Sequence, residues 1–272
     1  MRYLLLSLDA EEFDLPIEYG LDISVEKQHS ITRLGLEKAL QLLKGEGVSA
    51  TLFTTALFAA KNRGIIKQAR SEGHEIALHG YRHDHNYRGM NEEASRQLIR
   101  KGKAVLEGLA NAKVIGFRAP RLMTPGFHIL RECGIRYDSS LHPTLVPGRY
   151  NNLFRSRSVY SSRGIIEIPI STTPVIRLPF SWLWFRNLGV GYAEACTLLS
   201  LIDLDYVNIY FHPWELVSLS EFEGRLPRSI IRGTGNGLLR MLRRYLRWCM
   251  SRGIKPLTIS CFLQEKGLIM GL

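Results

Sequence analysis

Two rhythms of apolar and polar positions alternate along this chain. Residues 2–8 are a short apolar run that delivers Asp9, Ala10, Glu11 and Glu12 at its C-terminal end. Residues 32–44 carry leucines at 36, 40 and 43, a helical spacing closed by Gly45 and Gly47. The pattern predicts a strand over 48–55, a helix over 61–71 ended by Gly73, and a strand over 74–78. The clearest helix is 91–110, with Glu92 and Glu93 in its first turn and Leu98, Val105 and Leu109 on one stripe. Beyond it come a strand (114–117), a short helix opened by Pro125 (125–132), strands at 135–138 and 165–170, and a helix at 191–202. The strand 206–211, a basic amphipathic helix 236–250 and a strand 255–259 complete the chain. Strand–helix alternation predicts parallel βαβ units, and apolar strands with little alternation fit a sheet covered on both faces. No repeat, low-complexity tract or linker interrupts the order, so one α/β domain over 1–272 is expected. Residues 143–164, rich in Pro, Gly, Arg, Asn and Ser, are the longest loop-like stretch, and a loop of that length is usually functional.

Composition narrows the picture only slightly. With 272 residues, 45% hydrophobic and 22% charged, the chain has ample material for a core. Its net charge of +11 favours anionic partners without choosing among them. No Lys/Arg run resembles a dedicated arm, which argues against nucleic acid. Arg240, Arg243, Arg244 and Arg247 decorate the helix carrying Leu238, Leu242 and Leu246. Such a helix can touch an anionic membrane surface, although a barrel helix with a solvated face is the commoner arrangement. Cys133, Cys196, Cys249 and Cys261 are far apart and read as reduced thiols. The run Leu4–Leu6 is far short of a signal core, and no stretch approaches the ~18 apolar residues of a membrane span. A cytoplasmic protein is the expectation, with the inner membrane face as a place of peripheral contact.

Candidate chemistry gathers at predicted strand ends. In residues 76–86, IALHGYRHDHN, an apolar strand end runs into His79 and His83. If one helical turn forms between them, both imidazoles face one side, their Cβ atoms roughly 6 Å apart. Both can then reach one divalent ion at about 2.0–2.1 Å, with a carboxylate needed from elsewhere. Asp9, Glu11 and Glu12 follow the first strand, Arg118 the fourth, Asp138 the fifth, and His212 the strand before the last. In a barrel all those ends open on one rim, where active sites of such folds sit. His74, His85, His128 and His142 are read as structural or surface residues. The aromatic stretch 179–185, PFSWLWF, reads first as core, with a wall for sugar rings or a membrane-touching patch as alternatives.

These motifs together resemble the polysaccharide deacetylases, carbohydrate esterases with a nodulation-type deacetylase domain. The resemblance rests on Ser7–Glu12, His79-Gly80-Tyr81-Arg82-His83, Arg118-Ala119-Pro120, Tyr137-Asp138-Ser139-Ser140 and Ile209-Tyr210-Phe211-His212. More narrowly, residues 137–140, 168–171 and 211–215 are similar to deacetylases found with exopolysaccharide synthesis. The resemblance implies a distorted (β/α) barrel of about seven parallel strands. It implies a metal-dependent hydrolase that removes N-acetyl groups from amino sugars of a polysaccharide or glycan precursor. The metal, zinc first and iron, cobalt or nickel as alternatives, is then held by Glu11, His79 and His83. Asp9 is the expected base, oriented by Arg118, and His212 the expected acid, its pKa raised by Asp138. A backbone N–H after Arg118 is expected to complete an oxyanion site. The first motif departs from the usual adjacent aspartates. Along a strand, 9 and 11 share a face, and Glu12 is the rival ligand if the strand ends early. A deformylase or other amidohydrolase on a lipid-linked or small substrate, and a non-catalytic glycan-binding barrel, are the competing functions.

Overall fold

A computed structural model describes residues 1–270. In chain order its strands are β1 (Arg2–Ala10), β2 (Thr51–Thr54), β3 (Glu75–Leu78), β4 (Gly116–Phe117), β5 (Tyr137–Asp138), β6 (Leu145–Val146), β7 (Tyr150–Asn151), β8 (Tyr160–Ser162), β9 (Ile165–Glu167), β10 (Tyr206–Phe211) and β11 (Ile254–Leu257). The main sheet runs β10-β1-β2-β3-β4-β5-β9-β8, and β11 joins the N-terminal half of β1. Every ladder in it is parallel except β8–β9. Between β9 and β10 the sheet closes without a strand ladder. Ser171 N donates to Asn208 O at 2.9 Å, and Asn208 Nδ2 donates to the carbonyls of Ile168 and Pro169, each at 3.2 Å. The result is the expected distorted (β/α) barrel, with a side-chain seam.

Strand parity decides what faces the barrel interior. Leu4, Leu6 and Leu8 belong to the core between sheet and helices, whereas Tyr3 and Leu5 belong to a second core with Phe53, Tyr137 and Phe262. Residues 7 and 9 continue the interior face, which puts Ser7 and Asp9 inside the barrel mouth.

The helix Val25–Glu46 is longer than the 32–44 periodicity predicts. Ser24 caps it by accepting from Lys27 N, and Gly47, at φ 65°, ends it. Its packing is close: a Cβ on Gly35 would lie 1.8 Å from Pro213 O, so glycine is needed where this helix meets the turn after β10. The predicted helix 61–71 is two, Ala56–Lys61 and Arg63–Ser71, joined at Asn62. The last predicted strand stops at Leu257, where Thr258 caps an unforeseen helix, Ile259–Glu265. The loop-like stretch 143–164 holds the β6–β7 hairpin and β8. The basic helix is Asn236–Ser251. Its Leu238, Leu242 and Leu246 are core residues, while Arg243 and Arg247 pair with Glu46. That arrangement corrects the membrane-contact expectation, because the apolar face of the helix is already covered. Among the described residues no helix is long and apolar enough to cross a membrane.

Candidate active site

Parallel register brings the C-terminal ends of β1 to β5 to one level. Each strand makes one further backbone bond to its neighbour: His79 N to Thr54 O, Arg118 N to Leu78 O and Ser139 N to Phe117 O, all at 2.9 Å. The first residue after each strand is thereby held as firmly as the strand itself, and those residues carry the polar chemistry.

Glu11, His79 and His83 form one buried cluster whose ligand atoms lie within 4.8 Å of one another. Glu11 Oε2 is 3.0 Å from His79 Nε2 and 3.1 Å from His83 Nε2. The other ring nitrogens are occupied: His79 Nδ1 donates to Arg118 O at 2.9 Å, and His83 Nδ1 to Asp14 Oδ1 at 2.6 Å. Anchored Nδ1–H groups leave both Nε2 atoms turned toward one carboxylate oxygen, the arrangement of metal-binding histidines. This donor set fits a divalent ion. Glu12, the rival ligand, is turned aside: its Oε1 accepts from Thr55 Oγ1 at 3.1 Å and its Oε2 from His83 N at 3.2 Å. Burial alone would raise Glu11 and lower His83. Their mutual attraction, helped for Glu11 by His212 and His79 and for His83 by Asp14, reverses both effects. Glu11 lies well below the usual carboxylate range, and His83 is drawn up to about 9.

Asp9 sits beside this cluster on the interior face of β1. Arg118, fully buried, donates from Nη1 to Asp9 Oδ1 at 2.7 Å and to Ser7 Oγ at 2.8 Å. Its Nε donates to Ser139 O at 2.8 Å and its Nη2 to Ser139 Oγ at 2.9 Å, while the ring of Phe53 lies 4.2 Å beneath the guanidinium. A guanidinium tied at four points presents Asp9 in one orientation.

On the other side of the cluster His212 leaves β10 in extended conformation ahead of Pro213, as a residue before proline must. Its Nε2 is 3.7 Å from Glu11 Oε1. Trp214 stacks on its ring at 5.0 Å, and Trp182 meets it edge-on at 5.0 Å. The partner of Nδ1 is Glu215 Oε1 at 3.1 Å, not Asp138. Burial would lower His212; the charge of Glu11 and the hydrogen bond and charge of Glu215 instead raise it above the ordinary imidazole value.

Asp138 therefore has a different place from the one expected. It accepts from Ser140 Oγ at 2.6 Å, and Ser140 Oγ in turn accepts from Ala119 N at 2.8 Å. The N–H following Arg118, expected at an oxyanion site, is thus already engaged. Burial raises Asp138 to about 6 and lifts Glu167, its neighbour across the β5–β9 ladder, further. These two carboxyls lie behind the Arg118 loop and brace it.

The cluster opens into a cavity of about 270 Å³ lined by Asp9, Glu11, His79, His83, His142, Tyr150, Trp182, Trp184, Tyr210, His212 and Trp214, among others. Sequence reasoning passed over several of these. His142, read as structural, lines the wall with Nδ1 paired to Tyr150 Oη at 2.9 Å. The aromatic stretch divides: Phe180 and Phe185 are fully buried core, and Trp182 and Trp184 face the cavity. Asp14 and Glu215 escaped notice because their value lies in which histidine they reach. A signal existed for Glu215, since in His-Pro-x-Glu a carboxylate three residues on can close back onto the histidine N–H. It does so at 2.8 Å.

The fold and the cluster define a (β/α) barrel with a candidate metal centre at its strand ends. Residues 31–137 match the family model for polysaccharide deacetylase. Members of that family are carbohydrate N-deacetylases that hydrolyse amide bonds. No curated protein matches the sequence. Among solved structures, a Mycobacterium smegmatis protein assigned to the polysaccharide deacetylases superimposes with TM-score 0.66 at 19% identity, covering 97% of this chain and 89% of that one. One from Pseudomonas aeruginosa PAO1, likewise assigned, gives 0.67 at 17% identity, with 97% and 91% covered. The allantoinase Puue gives 0.65 at 16% identity, with 98% and 91% covered. At these identities the likeness is one of fold.

Proposed function

We propose that this protein is a metal-dependent hydrolase that removes N-acetyl groups from amino sugars of a polysaccharide or glycan precursor. The observation that carries the proposal is the placement of Asp9 and His212 around one Glu11–His79–His83 cluster, in a cavity walled by tryptophan and tyrosine. A divalent ion held by that cluster, zinc first by its ligands, supplies a Lewis acid that lowers the pKa of water and polarises an amide carbonyl. Arg118 binds Oδ1 of Asp9 and leaves Oδ2 to take the proton of the attacking water. His212 presents Nε2 to the cavity and gives its proton to the departing sugar nitrogen, without which an amine is too poor a leaving group. Trp182, Trp184 and Tyr210 offer the flat apolar faces on which sugar rings stack. The similarity of residues 137–140, 168–171 and 211–215 to deacetylases of exopolysaccharide systems supports a glycan of that class.

The test is acetate release from N-acetylglucosamine oligomers by zinc-loaded protein, run beside formate release from lipid-linked formamido sugars. Acetate release that disappears on chelation and returns with metal supports the proposal. Formate release alone would replace the substrate, and no release with an intact fold would leave a glycan-binding barrel.

A further inference from the structure

A wholly buried ion pair stands behind His212. Glu215 Oε1 accepts from both His212 N, at 2.8 Å, and His212 Nδ1, at 3.1 Å. Its other oxygen, Oε2, faces Arg186 Nε at 3.3 Å, and both side chains have zero exposure. Arg186 comes from the helix Trp182–Leu188, whose first residue is the tryptophan packed edge-on against His212. The guanidinium is fastened from behind: Nη1 donates to Ile230 O and Nη2 to Ser229 O, the latter at 3.2 Å. Ser229 and Ile230 themselves line the cavity. Nothing in Asp9, Arg118 or the metal cluster requires these groups. A buried charge pair costs desolvation free energy, and a hydrophobic pair of similar volume would serve packing alone as well.

We propose that Arg186 and Glu215 are positioning residues that fix which nitrogen of His212 delivers the proton, and where. The inference rests on the deacetylase proposal for the chemical step. A carboxylate is an acceptor only, so His212 Nδ1 carries a hydrogen throughout. The mobile proton is then the one on Nε2. As the C–N bond of the amide breaks, its electron pair stays on nitrogen, which takes the Nε2 proton. The imidazolium becomes a neutral imidazole that still donates from Nδ1 to Glu215. The positive charge leaves His212 with that proton, so Glu215 loses its cationic neighbour, and Arg186 still balances its negative charge where no water can. The same Arg186 ties the acid to the segment bearing Trp182 and to the wall at residues 229 and 230. Substrate seated against that wall is thereby aligned with the acid.

The experiment compares two substrates of the zinc-loaded enzyme. N-Acetylglucosamine oligomers need a protonated leaving group; p-nitrophenyl acetate, which expels a stable phenolate, does not. Glu215→Gln and Arg186→Met should each lower kcat on the amide about 10–100-fold, up to the lower limit of a full general-acid contribution, because His212 itself remains. KM and zinc content should change little, and ester hydrolysis should stay within about 3-fold. Arg186→Lys should recover part of the amide rate, and Glu215→Asp, which keeps the charge but shortens the reach, should recover less. Thermal melts identify a variant that fails to fold, and the milder Arg186→Lys and Glu215→Asp pair then carries the comparison. Parallel loss of amide and ester activity would mean a merely structural role and overturn the proposal, as would unchanged amide activity. A wild-type enzyme that cleaves the ester but releases no acetate from the sugar would overturn the deacetylase proposal and this one with it. Active wild type with indifferent variants would remove this one alone.

Discussion

The two walls of the cavity are built differently. One consists of strand ends: Asp9 near the end of β1 and Glu11 just after it, His79 after β3 and His212 after β10, with Arg118 after β4 standing behind Asp9. Their positions follow from parallel register, each first loop residue still bonded to the neighbouring strand at 2.9 Å for 79 and 118. The other wall consists of connections: His142 and Tyr150 from the β5–β9 excursion, and Trp182 and Trp184 from the aromatic helix. No ladder of the main sheet sets those residues; the small β6–β7 hairpin that carries Tyr150, side-chain bonds such as His142–Tyr150 and packing do. The difference teaches a division of labour. Apart from His83, in the turn after β3, the groups that must meet to within tenths of an ångström sit at or beside the strand ends, and groups that shape what enters sit on segments that can vary.

That division yields distinct expectations for the two walls, the largest at the metal. His79→Ala should lose both the bound ion and turnover, read by metal analysis and acetate release; full metal content in that variant would detach His79 from the centre. Asp9→Asn should keep the ion and lose about 10²–10⁴ in kcat, the range of a missing general base. Trp182→Ala acts on the other wall. Removing an aromatic face that buries a sugar ring should raise KM about 10–100-fold, equivalent to about 1.5–3 kcal/mol of lost burial, with a smaller change in kcat. A kcat defect as large as that of Asp9→Asn would erase the distinction between the walls.

The pH profile gives a subtler check. His212 must be protonated to act as acid, and Glu11 and Glu215 raise its pKa against the effect of burial. In the metal-free protein the His212 ring should therefore titrate above 6.5, the ordinary imidazole figure, as followed by NMR. Titration below 6.5 would mean that burial outweighs the two carboxylates.

The smallest effect on catalysis belongs to Asp138, a strand-end residue that misses the cavity. Asp138→Asn keeps an acceptor for Ser140 Oγ, so kcat should stay within about 3-fold, far from a general-acid defect. Its stability signature is clearer. Burial raises the Asp138 pKa from 3.8 to about 6 in the folded protein. The folded state thus holds a proton that the unfolded chain releases, and the contribution to stability is full below about 4 and lost as pH rises through about 6. The Asn variant should melt at a temperature that drops less between pH 4 and pH 8 than that of the wild type.

Much of this was legible in the chain itself, and the reason is periodicity. A two-residue repeat puts 9 and 11 on one face of β1, and a parallel barrel gathers strand ends on one rim. Hence Asp9, Glu11, His79, His83, Arg118 and His212 could be named before any coordinates. Where periodicity stops, so did foresight. Two-residue strands such as β4 and β5 carry too little pattern to bound. The helix Ile259–Glu265 is short, and its capping Thr258 falls inside the run 255–259 that reads as a strand. What only the tertiary structure decided is partnership. Glu215 rather than Asp138 serves His212, Asp14 holds His83, Glu12 turns to Thr55, and the Asn236–Ser251 helix spends its leucines on the core. A side chain's partner depends on distances across the fold, set by how strand ends and loops pack together, and local residue order encodes those distances only indirectly.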